Sequence, residues 1–350
     1  MRDDHPLDMT MHHVFDMNEV SQVGEARRAS VLMAGRLDFD EEACGRLALV
    51  VTELGTNLVR HADNGRLLVA VRAGGDGHRN RMEVLSLDGG PGMADLGHSL
   101  RDGVTTSTTP GTGLGAVRRL SDDFAAFSSV PGGTVVLARI ARRRVAARGR
   151  LVERFSHGAV SVPAAGETQC GDEWAIVQRG GRASVLVVDG LGHGPEAEVA
   201  ARACVAVFEA SPFDAPCEML ARAHAGMRTT RGAAAAVAQL DLDARAVTFC
   251  GAGNIAARLT SGLDDRSFLC QHGTLGLQVA RLQDVSAVWP DHALFVMHSD
   301  GVATRWDLRK TPGLLQCDPS IIAAWLIREH IGGRDDATVM VVRAAAGADL

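Results

Sequence analysis

A two-domain α/β protein is what the sequence predicts, on three observations. The chain has 350 residues, more than one hydrophobic core usually serves. Hydrophobic residues make up 46% and charged residues 22%, the balance of a chain that folds throughout its length. Apolar segments of helical and strand period occur on both sides of one basic stretch, RIARRRVAARGR, at 139–150. A run of like charge reads as a solvated connector, so the expected division is a first domain over 1–140, a linker over 141–151 and a second domain over 152–350.

In the first half, helical spacing of apolar residues predicts helices over 17–34 and 41–61, and strand-like runs follow over 66–73 and 81–88. After a glycine-rich region come a helix over 112–120 and strands over 125–129 and 134–140, which complete one α/β layer. In the second half, short strands over 183–188, 233–240, 246–250, 293–298 and 337–342 alternate with helices over 195–208 and 320–329. That mixture predicts sheets covered by helices. The run GAAAAVA at 232–238 is flanked by strand-like sequence and reads as buried.

Composition also excludes classes. A formal net charge of -6 gives no overall electrostatic attraction to nucleic acid. The seven cysteines are scattered without a C-x-x-C pair, so neither a disulfide framework nor a zinc site is expected. The amino terminus has no basic segment followed by an apolar run, and no stretch nears 18 uncharged apolar residues. The expectation is a cytoplasmic protein with no membrane partner.

The helix VVTELGTNLVRHA carries apolar Val50, Leu54, Leu58 and Ala62 on one side and a polar row, Glu53, Asn57 and His61, at four-residue spacing. Such a row projects to one side of a helix and can meet a single ligand; a solvated face is the plain alternative. His61, near the helix end, reads first as a capping or packing residue. Downstream, DGGPGM supplies Asp88, Gly90 and Gly92; PGTGLGAVRRL supplies Gly111, Gly113 and Gly115; and GGTVVL supplies Gly133 and Thr134. Glycines let backbone amides approach phosphate, and a helix amino terminus favours an anion. Each pattern alone is more often a turn.

As an ordered set, TELGTNLVRHA, DGGPGMADLGHSLRDG, GTGLGAVRRLSDDF and SSVPGGTVV resemble the GHKL ATPase superfamily, and within it the RsbT-type anti-sigma factor serine kinases. The resemblance spans roughly 14–140 and implies a Bergerat-type α/β sandwich that binds ATP. It assigns Asn57 to Mg²⁺ between ATP phosphates, Glu53 to the base, and Asp88 to the adenine amino group. Gly90, Gly92, Gly111, Gly113, Gly115 and Thr134 would line the pocket. Amide and phosphate oxygens with waters suit octahedral Mg²⁺, and the implied chemistry is γ-phosphoryl transfer to a serine or threonine hydroxyl.

In the second half apolar runs meet acids at glycine-containing turns: ASVLVVDGLGHG at Asp189 and Gly190, ALFVMHSDG at Asp300, and GGRDDATVMVV at Asp335 and Asp336; Asp172 lies in ETQCGDEW. One Asp-Gly turn is ordinary. Several converging carboxylates repel one another unless cations neutralise them, and hard oxygen ligands select Mg²⁺ or Mn²⁺ over zinc. A pair of such cations about 4 Å apart activates water for in-line attack on a phosphoester.

CGD, DGLGHG, SDG and RDDATV in this order resemble the metal-dependent PPM phosphatases, specifically the bacterial SpoIIE and RsbX-type serine phosphatases, over roughly 152–343. The resemblance implies an αββα sandwich. It makes Asp189 the residue that bridges the metals, gives a carbonyl role to Gly190, and makes Asp300 and Asp335 ligands of one metal each. Asp172 and Asp336 would be an outer ligand or a supporting acid. His193 is a turn residue or a general acid, and the family's phosphate-binding arginine has no match in the motifs. Together the two resemblances imply a serine/threonine kinase and a phosphoserine/phosphothreonine phosphatase in one chain. Their partner would be a STAS-domain antagonist or a stressosome-like protein, with a sigma factor as a further partner. An ATP-holding anti-sigma factor without kinase turnover, or a phosphatase regulated by ATP, is the alternative.

Overall fold

Separate hydrophobic cores condense from this pattern in two units, Met1–Leu151 and Val152–Leu350. The computed structural model describes residues 9–73, 80–100, 113–142 and 154–345. Gly111 and the linker residues 143–151 lie outside the described residues.

The first unit contains β1 (His13–Asp16), α1 (Val20–Arg36), α2 (Glu41–His61), β2 (Arg66–Arg72), β3 (Arg81–Asp88), α3 (Leu96–Ser99), α4 (Leu114–Leu120), β4 (Asp123–Ser129) and β5 (Gly133–Ala141). Its strands form one antiparallel sheet in the order β1-β2-β3-β5-β4. Alternate strand residues face the helices: Leu67, Val69, Val71, Met82, Val84, Val136 and Ala138 share a buried cluster with Val50, Leu54 and Leu58 of α2 and Val117 of α4. Each such side chain contributes roughly 1.5–3 kcal/mol through burial. Asp40 caps α2 by accepting the Ala43 amide at 2.9 Å, acids fill its first turn, and Arg60 and His61 occupy its last. That charge order complements the helix dipole.

Other positions of β2, β3 and β5 hold a buried ion cluster. Glu83 takes Arg72 Nε at 3.1 Å on one oxygen and Arg139 Nε at 2.8 Å on the other, with His12 Nε2 at 3.4 Å. Burial opposes its ionisation, but Arg139, Arg72 and His12 outweigh that and hold its carboxyl well below the usual range.

The second unit is a sandwich of two five-stranded antiparallel sheets. One consists of β7 (Asp172–Arg179), β8 (Arg182–Gly190), β9 (Ala233–Asp241), β10 (Ala246–Ala252) and β15 (Val285–Val288); the other of β6 (Phe155–Val162), β11 (Ala256–Thr260), β12 (Asp265–Phe268), β16 (Leu294–His298) and β17 (Ala337–Ala344). A small pair, β13 (Gly273–Thr274) and β14 (Gln278–Val279), forms a sheet of its own, tied to the start of β9 by the Ala233–Leu275 bridge. Val185, Val187, Phe249, Phe295, Met297 and Met340 interdigitate between the sheets. On one outer face α5 (Pro195–Ala210) and α6 (Pro216–Gly226) bury Leu186, Val188 and Cys250; on the other α7 (Pro319–Ile327) packs on β6 and β17. The layer order is αββα, as expected.

Two local features position the site. The alanine run becomes β9, a central strand between β8 and β10. Ala236 and Ala238 face the inter-sheet core, while Ala233 and Ala235 face α5 and α6. Strands β7 and β8 are joined by a two-residue turn, Gly180 and Gly181, with Gly180 at φ 59. From that turn the pairing runs without interruption from Arg179 opposite Arg182 to Asp172 opposite Asp189. No described helix is long and apolar enough to cross a membrane.

Candidate functional site

In the first unit Glu53 and Asn57 are part-buried on successive turns of α2, beside fully buried Val50 and Leu54, whereas His61 is exposed in the last turn. Strand β3 ends on Asp88, whose Oδ1 accepts the Gly90 amide at 2.9 Å. The Gly89 amide donates to the Asp63 carbonyl at 3.1 Å, tying this loop to the exit of α2. Thr134 lies opposite Asp88 in the sheet and is buried; its hydroxyl meets Ser128 Oγ at 3.0 Å, which also accepts the Met93 amide at 2.7 Å. Gly133 has φ 85, and a Cβ there would stand 2.0 Å from the Asp88 carbonyl oxygen; only glycine allows β5 to start against Asp88.

Gly92 lies against Ser129, Gly113 precedes α4, and Gly115 is buried within α4, which packs on the α2 core through Leu114 and Val117. Thus Asp88, Gly90, Gly92 and Thr134 gather at one end of β3 and β5. A carboxylate at this strand end can accept from the amino edge of a purine, and the glycines leave room for backbone to approach phosphate.

In the second unit the acids come from strand ends of both sheets at one end of the sandwich. Asp172 begins β7, Asp189 closes β8 directly opposite, Asp300 follows β16, and Asp335 precedes β17. Asp189, Asp300 and Asp335 line one cleft of about 470 Å³ with His193, His272 and Arg334. Gly190 is buried beneath, and a Cβ there would stand 2.1 Å from the Ala197 carbonyl oxygen of α5.

Asp172 and Asp336 lie behind the cleft and fasten it. Asp336 accepts the Ala164 amide on Oδ1 and the Gly171 amide on Oδ2, both at 2.7 Å. With both oxygens so engaged it holds the strand that delivers Asp172, and it is absent from the cleft lining. Asp172 Oδ2 accepts Ser299 Oγ at 2.6 Å, and Ser299 Oγ in turn accepts the Thr338 amide at 2.9 Å. These bonds join the two sheets under the site.

Do these residues fit divalent cations? Asp172 Oδ1 is buried without a hydrogen-bond partner, a state that costs about 1–3 kcal/mol or more for a charged group. Burial pushes Asp172 up to about 8 despite the Ser299 bond, and burial with Asp172, Asp300, Asp335 and Asp336 nearby pushes Asp189 up to about 9. Carboxylates so placed are proton-loaded until a cation replaces the protons. Among the described residues no three acids, histidines or cysteines close on one point; they border an open cleft. Mg²⁺ keeps several waters and takes few carboxylates. The donor set fits hard divalent ions.

The motifs did not reveal every cleft residue. His193, read from its motif as a turn residue or a general acid, lines the cleft, and its Nδ1 lies 2.8 Å from Glu167 Oε1. Asn254 Nδ2 donates to Asp300 Oδ2. Arg334 stands next to Asp335 in GGRDDATV, where adjacency to the acids was the available signal. Glu167 and Asn254 carry none, because each is brought in by tertiary pairing.

Residues 17–140 match the family model described as histidine kinase-like ATPase domain, and residues 179–345 match stage II sporulation protein E (SpoIIE). The chain is 29% identical over 113 residues to the serine/threonine-protein kinase RsbT of Bacillus subtilis (strain 168), covering 32% of this chain and 84% of that protein. It is 25% identical over 138 residues to the phosphoserine phosphatase RsbX of the same organism, covering 39% of this chain and 69% of that protein. Among solved structures, a chain from work describing the bacterial stressosome as a modular system adapted to control secondary messenger signalling is 28% identical. It superposes with a TM-score of 0.51 over 55% of this chain and 100% of that one. The αββα layers, the ordered acids and these likenesses agree: the chain joins a histidine-kinase-like ATPase domain related to RsbT to a SpoIIE-type PPM phosphatase domain related to RsbX.

Proposed function

We propose that the protein is a bifunctional regulator of a bacterial partner-switching pathway. Its second unit removes phosphate from phosphoserine or phosphothreonine, and its first unit uses ATP to phosphorylate serine or threonine on a STAS-domain partner. The observation that carries the reading is the meeting of Asp189, Asp300 and Asp335 in one cleft above the orphaned Asp172 oxygen. Asp189, Asp300 and Asp335, with Asp172 behind them and the Gly190 carbonyl nearby, would hold Mg²⁺ or Mn²⁺. Such ions supply a nucleophile from water at neutral pH and neutralise phosphoryl charge. Asp336 keeps the Asp172 strand in place through the Gly171 amide.

In the first unit Asn57 would give its amide oxygen to Mg²⁺, and Glu53 would orient or deprotonate the acceptor hydroxyl. Asp88 would accept from the adenine amino group, with Gly90, Gly92, Gly113, Gly115 and Thr134 around the nucleotide; Gly111, proposed with them, lies outside the described residues. Likeness to RsbT and RsbX supports both halves.

One experiment separates the activities: phosphate occupancy of a STAS-domain partner, followed by intact-mass spectrometry with ATP and Mg²⁺ present. Asp189→Asn keeps side-chain shape while removing charge, so phosphorylation should persist and the phosphorylated form accumulate. Glu53→Ala should abolish phosphorylation and leave dephosphorylation of pre-phosphorylated partner intact. Identical occupancy curves for wild type and Asp189→Asn would refute opposed action on one site. ATP binding without any transfer would leave an ATP-holding binding module in place of the kinase.

A further inference from the structure

The aspartates that line the cleft leave it no surplus of positive charge, yet a phosphomonoester brings negative charge to it. Cations held by the acids offset their own ligands first. Capture of the incoming ester therefore calls for a positive group that belongs to the cleft wall and is not consumed by a protein carboxylate. Two arginines stand near the site. Arg231 lies beside Gly192 of the cleft loop but forms an ion pair with Glu196. Arg334 lines the cleft itself, is exposed, and has no ion pair or hydrogen bond among the described residues. It occupies the turn that follows Gly332 (φ 77) and leads through Asp335 into β17, so its backbone is anchored by the same strand end that delivers Asp335. A guanidinium kept for charge balance alone would be expected to pair with one of the three lining carboxylates.

We propose that Arg334 is the phosphate anchor of this cleft: its planar fork takes two oxygens of the substrate phosphomonoester, and of the orthophosphate released. The inference rests on the phosphatase reading and adds to it the group that recognises the dianion. Bidentate pairing of this kind is geometric as well as electrostatic, so charge alone should replace it only partly.

The test uses the full chain with Mg²⁺ or Mn²⁺ and 4-nitrophenyl phosphate. Arg334→Ala should raise KM and the inhibition constant of orthophosphate together, by about 10- to 100-fold, with the loss falling on KM more than on kcat. Arg334→Lys should recover part of both. A charge-balancing role would instead move the Mg²⁺ concentration giving half-maximal rate and leave orthophosphate inhibition as it was. A second readout needs no turnover: phenylglyoxal labelling followed by peptide mass spectrometry, in which orthophosphate should slow modification of Arg334 and not of Arg231. Unchanged KM and orthophosphate inhibition in Arg334→Ala, or labelling of Arg334 indifferent to orthophosphate, overturns the assignment. A wild-type protein that hydrolyses nothing overturns the phosphatase reading instead, and the labelling result then judges Arg334 alone.

Discussion

Asp172 and Asp189 link the site's chemistry to the stability of the second unit. Their carboxyls are raised to about 8 and about 9, from an ordinary value near 3.9, so the cation-free folded state binds protons that the unfolded chain releases. Their contribution is complete below about pH 4 and is lost as pH rises through about 9. In excess chelator the melting temperature of the second unit should fall by at least about 4 °C between about pH 5 and about pH 9. Mg²⁺ should flatten that slope, and so should Asp189→Asn; a slope that survives both, by scanning calorimetry, would remove these carboxyls as its cause. Asp189 was legible in the sequence because it follows an apolar strand at a turn, whereas Asp172 showed only through its CGD motif, its strand β7 mixing polar residues among the apolar ones. Glu167 and Asn254 were not legible, since their roles arise from contacts to His193 and Asp300 that no local pattern encodes.

Elements show where local preference yields to packing. Alanine favours helix by intrinsic propensity, yet GAAAAVA forms β9, because a strand buried on both faces needs small side chains where α5 and α6 press close. Its strand-like flanks gave the sequence reading its correct answer. Strands β6 and β7 and helix α6 escaped it: FSHGAVSV and DEWAIVQR mix polar residues into segments that the opposing sheet buries. Helix starts were read more easily, as at α5 and α7, where proline opens the first turn. Close element contacts give two predictions. Gly190→Ala drives a methyl against the Ala197 carbonyl and should cost about 1–3 kcal/mol in urea unfolding, with α5 displaced. Glu83→Gln removes the carboxylate charge shared by buried Arg72 and part-buried Arg139 and should cost the first unit about 3–5 kcal/mol; a loss under about 1 kcal/mol would show the cluster to be solvated.

At the scale of the molecule, the two units have separate cores and oppositely perturbed acids, so they should melt as two transitions. ATP with Mg²⁺ should raise the first alone, while restoring Mn²⁺ after chelation should raise the second. Glu83 is depressed, so its contribution is present above about pH 4.3 and is lost as pH falls through its folded value; acid should weaken the first unit while alkali without metal weakens the second. A fragment from residue 152 onward should keep metal-dependent hydrolysis of a phosphoserine peptide, and its failure to do so while folded would show that the units need each other. The Gly180–Gly181 hairpin has a further consequence for how such a chain can change over generations. Surface turns ordinarily accept an added residue at little cost. Here the unbroken pairing from Arg179 and Arg182 to Asp172 and Asp189 carries the turn's length over seven residue steps, about 24 Å at 3.4 Å each. One inserted residue that re-registers the hairpin would move the two aspartates out of opposition. This turn is held to its length, and deletions or insertions there should be as damaging as replacing the acids themselves.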